Sequence, residues 1–233
     1  MTTGKLSKMP SDRKNSKLKP GTMDEEKLYF LRQKMVGEQI IEKGITSPAV
    51  INAMLRVPRH KFVPPYIDPE EAYEDKALPI GYGQTISQPY VVAAMTQALM
   101  PALPGKILEI GVGSGYQTAI LLELGAEVWG FEIVKPLADR AIEVLTALGY
   151  KNFHIIHGDG KKGLEDISLS GCIIAAAADS VPEGILSTIE LGGVVVAPIN
   201  VPGKGYQKLI VMTRKKEGWE KEVLFDCKFV PLV

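Results

Sequence analysis

The sequence predicts a doubly wound α/β fold: a mostly parallel sheet with antiparallel strands near the C-terminus, preceded by a helical N-terminal extension. Three observations carry this prediction. Residues 107–116 read as a buried strand, a glycine-rich tight turn and the start of a helix, the first unit of such a sheet. Residues 127–132 form a second strand-like run that ends in an acid. Residues 206–213 and 221–228 read as two strands joined by a polar turn, as in an antiparallel pair.

The composition is that of an ordinary soluble globular protein. The chain has 233 residues, of which 45% are hydrophobic and 23% are charged, so it suits one large domain or a domain with an extension. The 27 basic residues balance the 27 acidic ones, so no global charge indicates nucleic acid or an anionic membrane as a partner. No apolar run reaches the ~18–20 residues that span a bilayer, and no secretory signal is expected.

The cysteines and histidines indicate the cellular compartment and whether a metal site is expected. Cys172 and Cys227 lie far apart in the chain and show no metal-binding spacing, which predicts a reducing, cytoplasmic location. His154 and His157 have no acidic or cysteine partner at metal spacing, so they are interpreted as structural and no metal is expected. A monomer is the default expectation.

Residues 1–22 are polar and basic and have neither helical nor strand periodicity, which predicts a disordered tail. An arm that contacts nucleic acid is the alternative, although an inert solubilising tail is favoured. Residues 23–233 are predicted to form a single domain. Residues 23–100 would form its helical and loop extension, and residues 101–233 would form its sheet core.

Two helices are predicted at the start of the extension. Apolar residues recur at helical spacing from residue 24 to 43. Ser47 is the expected N-cap of a second, short helix and Pro48 its first residue. The prolines of residues 57–64 exclude regular structure there, so His60 is interpreted as loop surface and not as a catalytic group.

Residues 72–89 are too polar and too rich in turn residues to belong to the core, so they predict a loop. The proline at the end of this stretch starts a helix, so Gln84, Thr85 and Ser87 lie just before a helix N-terminus, where hydroxyls and free N–H groups hold anions. The alternative is that Ser87 or the glutamine after it merely caps the helix. A cap explains one polar residue but not the whole polar string.

The glycine turn is the most informative part of the sequence. Gly111 and Gly113 lack a Cβ, which lets the backbone come close to a ligand beside a helix N-terminus. A dinucleotide-binding fingerprint would have its third glycine where this chain has Tyr116, and the third glycine is instead Gly115. Together with Glu109, the string resembles motif I of the class I methyltransferases that bind S-adenosylmethionine (AdoMet). A glycine turn without a ligand is the alternative.

Glu132 ends the next strand, 21 residues after Gly111. A spacing of ~20 residues is expected for a carboxylate that binds ribose hydroxyls. Because a carboxylate accepts two hydroxyl protons at once, this role is favoured over that of a solvated acid at a strand end.

Ordered groups of residues resemble the protein-L-isoaspartate O-methyltransferases over about residues 24–233. These groups are Val57-Pro58-Arg59, Phe62-Val63-Pro64, Gly83 to Pro89, the glycine turn, Glu132, Gly158-Asp159-Gly160 and Phe229 to Leu232. The resemblance implies a Rossmann-like methyltransferase sheet with AdoMet as cosubstrate. It also implies methylation of the abnormal carboxylate of isoaspartyl residues in damaged proteins, which initiates repair through a succinimide.

The resemblance also implies roles for individual residues. Ser87 stands at the position of the active-site serine, and Thr85, Ser87 and Val230 are the expected substrate contacts. The expected AdoMet contacts are Gln84, Thr85, Ile86, Ser87, Glu109, Gly111, Gly113, Gly115, Glu132, Asp159 and Gly160. Among them, Glu132 would bind the ribose, and Asp159 and Gly160 would lie at the adenine. A turn-forming Asp-Gly pair is the alternative reading of these last two residues.

The fourth strand departs from the family pattern. Gly171 stands where the family usually has an acid, and Ala176 where it usually has a threonine. These departures, together with the basic tail, keep open the alternative of an AdoMet-dependent methyltransferase for another acceptor. A non-catalytic module that binds AdoMet or damaged peptides is a second alternative, and the intact glycine turn and the intact string Gln84 to Ser87 argue against it. Farther on, residues 182–191 predict a helix that is stopped by the glycine pair 192–193, with a strand over residues 193–199.

Overall fold

The computed structural model describes residues 25–164 and 167–232. The helices are α1 (Glu25–Met35), α2 (Pro48–Arg56), α3 (Pro89–Leu99), α4 (Tyr116–Glu123), α5 (Lys135–Ala147) and α6 (Glu183–Thr188). The strands are β1 (Leu78–Gly81), β2 (Gln84–Ile86), β3 (Lys106–Ile110), β4 (Glu127–Glu132), β5 (Phe153–His157), β6 (Leu169–Ile174), β7 (Ile189–Asn200), β8 (Gln207–Lys215) and β9 (Gly218–Cys227). The tail expected over residues 1–22 lies outside the described residues.

The central sheet has the strand order β5-β4-β3-β6-β7-β8-β9. The five neighbouring strands β5, β4, β3, β6 and β7 pair in parallel. Strand β8 pairs antiparallel with β7, and β9 pairs antiparallel with β8. The chain runs outward from β3 through β4 to β5, then returns to the other side of β3 to form β6. This reversal creates a crevice beyond the carboxyl ends of β3 and β6, where ligands bind in folds of this kind. The predicted doubly wound sheet with antiparallel strands near the C-terminus is confirmed.

The central strands are apolar because helices cover both faces of the sheet. Ile107 and Leu108 of β3 and Cys172 and Ile173 of β6 are all fully buried. No helix among residues 25–164 and 167–232 is long and apolar enough to cross a membrane.

The N-terminal helices form as the sequence predicts, with one irregularity. Helix α1 passes directly into a π-helical turn, Val36–Ile41, before the chain turns away. Ser47 caps α2, since its Oγ accepts a hydrogen bond from the N–H of Val50 at 3.5 Å. The proline-rich stretch that follows contains a short 3₁₀ helix, Arg59–Phe62, where irregular backbone was expected.

The stretch predicted as a polar loop instead contains an antiparallel hairpin of β1 and β2. Tyr82 and Gly83 form its two-residue turn, with φ of 55° and 72°. Two successive positive φ values match the primed turns that fit the twist of a hairpin. Leu78, Ile80 and Ile86 are buried, so packing against the rest of the extension stabilises strands too short to stand out in the sequence.

The expected helix over residues 182–191 is wrong in its second half. Helix α6 ends at Thr188, and β7 begins at the next residue and runs through both glycines. Leu169 pairs with Ile189 but Gly171 pairs with Val194, so the intervening residues form a bulge. A Cβ on Gly193 would lie 2.8 Å from the carbonyl oxygen of Ser170. Gly193 therefore permits a close strand contact, Gly192 adopts φ of 84° in the bulge, and the pair does not stop a helix.

We expect Gly171→Asp, which would introduce the acid that the family usually has, to lower the free energy of unfolding by about 2–4 kcal/mol. A Cβ at this site would lie 2.9 Å from the Cβ of Ala102 and 2.9 Å from the carbonyl oxygen of Val194. Urea denaturation measures the effect, with Gly205→Asp as the control because nothing lies within 4 Å of a Cβ at that exposed glycine. Equal stability of the two variants would contradict this account.

Candidate active site

A cleft lies at the carboxyl ends of β3 and β6, where the strand order reverses. Its walls come from the β1–β2 hairpin, the glycine turn, the end of β4, the turn after β5 and the C-terminal segment. The predicted site residues that line it are Gln84, Thr85, Ile86, Ser87, Gly111, Gly113, Glu132, Asp159, Gly160 and Val230. Segments that are far apart in the chain thus meet around one space.

The glycine turn is tied to the neighbouring strand. Gly111 and Gly113 adopt φ of 83° and 54°, which other residues rarely take. The N–H groups of Gly111 and Val112 both donate to the carbonyl oxygen of Phe131, at 2.9 and 3.2 Å. The N–H of Gly113 donates to Oε2 of Glu132 at 2.7 Å. The turn and the end of β4 therefore form one rigid wall of the cleft.

The carboxylate of Glu132 is held in place by backbone donors on both sides. Besides Gly113, the N–H of Val134 donates to Oε1 at 2.9 Å. The side chain is only 5% exposed, yet it lines the cleft. Each oxygen retains a further lone pair, so the carboxylate can accept two more hydrogen bonds from a ligand without moving.

The structure does not bring Glu109 to the lining of the cleft. Successive strand residues point to opposite faces, and since Ile110 lines the cleft, Glu109 points into the core. There the hydroxyl of Thr118 on α4 donates to Oε2 at 2.7 Å. Burial raises the pKa of Glu109 to about 8, the Thr118 hydrogen bond opposes this shift, and the nearby charge of Glu132 adds to it.

Gly115 is also absent from the lining of the cleft. It is the N-cap of α4, with φ of 84°. A Cβ at this position would lie 3.2 Å from the Cβ of Ala141 on α5, so the glycine allows α4 and α5 to pack closely. Its position in the sequence resembles that of a ligand-binding glycine, but in the structure Gly115 lies at the contact between α4 and α5.

Asp159 and Gly160 lie at the cleft in the turn after β5. Oδ1 of Asp159 accepts a hydrogen bond from the N–H of Lys161 at 3.0 Å, so this residue does form the turn that was the alternative interpretation. Oδ2 also lies 3.3 Å from the ammonium group of Lys161. A Cβ on Gly160 would lie 2.4 Å from Cδ1 of Ile110, so only glycine fits this part of the floor.

The C-terminal segment forms another wall of the cleft. The N–H of Ala177 donates to the carbonyl oxygen of Val230 at 2.7 Å, and the N–H of Leu232 donates to that of Ala177 at 2.8 Å. Val230 therefore lies against the end of β6, close to Thr85 and Ser87 in the lining. These three residues also line a second, adjoining cavity, whose other walls include Tyr90, Phe225 and Phe229.

The histidines lie outside the cleft lining. His60 is half-buried, with Nδ1 2.7 Å from the hydroxyl of Tyr73, and burial lowers its pKa to about 4, so it is not loop surface. His154 stacks on Trp129 with ring centroids 4.1 Å apart. Nε2 of His157 lies 3.2 Å from the carbonyl oxygen of Ile133. Within the described ranges, no three His, Cys, Asp or Glu residues cluster as a metal site would require.

Some lining residues were not found from the sequence. Tyr116 lines the cleft at the start of α4, at the position that broke the dinucleotide fingerprint. Ile133, which follows Glu132, is 45% exposed and lines the cleft as well. Of the two departures from the family pattern, Ala176 lies in the lining and Gly171 does not. The position of Tyr116 could have predicted its place in the cleft, because a residue directly after a glycine turn is close to any ligand that the turn binds.

Comparisons with known proteins agree with this geometry. The model of the Protein-L-isoaspartate(D-aspartate) O-methyltransferase family matches residues 31–233. A protein-L-isoaspartate O-methyltransferase from a Synechococcus species is 42% identical over 87% of this chain and 85% of its own length. The enzyme of that name from Dictyoglomus thermophilum is 45% identical over 86% of this chain and 90% of its own length.

Solved structures extend the likeness to the fold. A Plasmodium falciparum protein-L-isoaspartate O-methyltransferase, in complex with S-adenosyl-L-homocysteine, superposes with a TM-score of 0.74 at 26% identity, over 88% of this chain and 97% of that one. A second protein-L-isoaspartate O-methyltransferase gives a TM-score of 0.76 at 25% identity, over 89% of this chain and 65% of that longer chain. The chain belongs to the protein-L-isoaspartate O-methyltransferase family.

Proposed function

We propose that this protein transfers the methyl group of AdoMet to the free carboxylate of isoaspartyl residues in damaged proteins. The observation that carries the proposal is the meeting of two sets of residues in one cleft. The glycine turn and Glu132 form the side suited to AdoMet, and Ser87 with Val230 forms the side suited to an acceptor. Family membership supports the same reaction.

The residues of the cleft fit AdoMet part by part. The turn at Gly111 and Gly113 leaves room for the methionine part, and Glu132 has two lone pairs for the ribose hydroxyls. Apolar Ile133 and the turn at Asp159 and Gly160 would hold the adenine. Bound there, AdoMet supplies a methyl group activated by a positively charged sulfur.

The acceptor needs to be positioned and does not need to be deprotonated. A carboxylate with an ordinary pKa near ~4 is ionised at neutral pH, so no general base is required. Its oxygen bonds to the methyl carbon as the carbon–sulfur bond breaks, and the bonding pair remains on sulfur. The protein contributes by holding oxygen, carbon and sulfur in line. The Ser87 hydroxyl orients the carboxylate by a hydrogen bond and is not a nucleophile.

The later steps follow from the chemistry of the product. The neighbouring backbone nitrogen attacks the methyl ester, methanol leaves and a succinimide forms. Hydrolysis of the succinimide then regenerates part of the normal aspartate. The second cavity, with Tyr90, Phe225 and Phe229 in its walls, is suited to the residues that flank the isoaspartate, because it adjoins the cleft at Thr85 and Ser87.

We also propose that residues 23–233 act as one domain, in a monomer located in the cytoplasm, without a metal or a nucleic-acid partner. The cysteines support a reducing compartment, since Cys172 and Cys227 are both free. The equal numbers of basic and acidic residues support a neutral protein without a strong preference for polyanions.

We expect Ser87→Ala to lower kcat for an isoaspartyl peptide by about tenfold to a hundredfold, because the variant loses the hydrogen bond that orients the carboxylate. The dissociation constant of S-adenosylhomocysteine, measured by calorimetry, should stay within about twofold of wild type. Ser180→Ala changes an exposed serine outside the cleft lining and serves as the control. An unchanged kcat would refute the positioning role of Ser87.

The direct test of the function uses AdoMet with a labelled methyl group and one peptide in two forms, with aspartate or with isoaspartate. Label that enters only the isoaspartyl form, and that is released as methanol in mild base, supports the proposal. Label that survives base would mean that the enzyme methylates a different group. Label in neither form despite measurable binding of AdoMet would mean that the protein methylates a different acceptor or binds AdoMet without turnover, and either result would overturn the proposal.

A further inference from the structure

The guanidinium of Arg59 is fully buried behind the cleft, although no carboxylate of the described residues forms an ion pair with it. Instead it donates to two backbone carbonyls. Nε donates to the carbonyl oxygen of Ala72 at 2.7 Å, and Nη2 donates to that of Ser87 at 2.8 Å. A buried cation is costly, so this arrangement needs an explanation beyond packing.

The two carbonyls lie at the two ends of one segment. Residues 72–87 leave the core at Ala72, form the β1–β2 hairpin and return at Ser87. A second hydrogen bond connects the same two ends of the segment, since Nε2 of Gln88 donates to Oδ1 of Asp75 at 2.9 Å. One guanidinium therefore joins both ends of the hairpin segment that forms the acceptor side of the cleft.

Arg59 is itself held firmly by its surroundings. It begins the 3₁₀ helix Arg59–Phe62, and its guanidinium lies over the ring of Tyr116, 4.8 Å from the centroid. Tyr116 begins α4 and lines the cleft directly after the glycine turn. Burial lowers the pKa of Arg59 to about 10, and nearby Tyr116, Tyr73 and the carboxylate of Asp75 oppose this shift, so the group remains charged at neutral pH.

We propose that Arg59 is a positioning residue for methyl transfer: it fixes Ser87 and the hairpin relative to Tyr116 and the glycine turn. The inference rests on the proposed function, in which Ser87 orients the acceptor carboxylate. Arg59 contacts the backbone of the acceptor side through hydrogen bonds and the AdoMet side through the Tyr116 ring. It therefore sets the distance between the two reacting groups without touching either of them.

Lysine cannot replace this arginine in the proposed role. A guanidinium presents donors in a rigid planar fork, whereas an ammonium group is a single point on a flexible stem. One ammonium cannot hold two carbonyls in the same geometry and also stack on an aromatic ring. Arg59→Lys thus keeps the positive charge but loses the paired hydrogen bonds to the two carbonyls and the stacking on the Tyr116 ring.

The test compares Arg59→Lys and Arg59→Gln with Phe62→Leu. Arg59→Gln is included because a buried lysine would carry a costly charge, whereas glutamine carries no charge. Phe62 lies in the same 3₁₀ helix and packs against the same Tyr116 ring, with centroids 5.6 Å apart, so Phe62→Leu disturbs the packing and leaves the hydrogen bonds to Ala72 and Ser87. For each protein, kcat and KM for an isoaspartyl peptide, the dissociation constant of S-adenosylhomocysteine and the thermal midpoint are measured.

We expect either Arg59 variant to lower kcat/KM by about tenfold or more. The affinity for S-adenosylhomocysteine should fall by less than kcat/KM, because Glu132 and the glycine turn stay in place while the hairpin residues of the cleft loosen. Phe62→Leu should lower the thermal midpoint while kcat/KM stays within about twofold. Retention of kcat/KM by the Arg59 variants, or an equal loss in Phe62→Leu at matched stability, would overturn the inference.

Hydrogen exchange separates this inference from the proposed function. Deuterium uptake by the amides of residues 78–88 should rise in Arg59→Lys and stay at the wild-type level in Phe62→Leu. If the wild type does not methylate the isoaspartyl peptide, the proposed function fails, and this exchange difference still tests whether Arg59 holds the hairpin. An active wild type with equal uptake in all variants would refute the role of Arg59 alone.

Discussion

Glu132→Gln is expected to weaken the binding of S-adenosylhomocysteine by about a hundredfold, or about 3 kcal/mol. The carboxylate already accepts the N–H groups of Gly113 and Val134 at 2.7 and 2.9 Å, and it has lone pairs left for two ribose hydroxyls. A Gln side chain has one acceptor oxygen, so its NH₂ group would face a backbone donor. The variant would lose a ribose hydrogen bond and would also loosen the glycine turn.

Isothermal titration calorimetry with S-adenosylhomocysteine measures this effect without turnover. Glu127→Gln is the matched control, because Glu127 begins the same strand and its Oε1 accepts from Nε1 of Trp129 at 3.1 Å, away from the cleft lining. The control should bind within about twofold of wild type. Binding by Glu132→Gln within about threefold of wild type would show that this carboxylate does not contact the ribose.

Glu109→Gln is expected to remove a large pH dependence of stability. The folded protein raises the pKa of Glu109 from 4.5 to about 8, mainly through burial. Between these values the folded state keeps a proton that the unfolded chain releases, so the wild-type free energy of unfolding falls as the pH rises through this range. At ~1.4 kcal/mol for each pH unit, the loss from this one group between pH 5 and 9 is about 3–4 kcal/mol.

Urea denaturation at pH 5 and pH 9 compares the two proteins. Relative to wild type, Glu109→Gln should gain stability toward pH 9, because the amide has no proton to lose. Glu222→Gln, which changes an exposed carboxylate on β9, should follow the wild-type curve. Parallel curves for wild type and Glu109→Gln would mean that Glu109 is ionised in the folded protein throughout. Unchanged binding of S-adenosylhomocysteine by Glu109→Gln would agree with its position outside the cleft lining.

Glu132 and Glu109 show how far a sequence pattern can predict which side chains reach a binding site. Both acids end a strand-like run beside the glycine turn, and the pattern assigned both to AdoMet. In the structure Glu132 lies in the lining of the cleft, whereas Glu109 is one residue short of the strand end and points to the opposite face. A shift of one residue reverses the direction of a strand side chain, and the exact end of a strand is poorly marked in a sequence.

The hairpin shows a second limit. Strands β1 and β2 have only four and three residues, too few for periodicity to distinguish them from a loop. They form because Leu78, Ile80 and Ile86 are buried against the N-terminal helices, and because Arg59 joins the two ends of the segment. Both causes depend on residues that are distant in the chain.

Several features follow from interactions between residues that are neighbours in the chain, and these could be predicted from the sequence alone. These are the strand–turn–helix unit at the glycine turn, the Ser47 cap of α2, the prolines that begin α2 and α3, and the antiparallel pair β8 and β9. Tertiary packing determines which of the candidate side chains reach the cleft, how the C-terminal segment pairs with Ala177 after the end of β6, and why Arg59 is buried. Turns, caps and periodicity are set by neighbouring residues, whereas burial and side-chain direction at a site depend on which distant segments pack together.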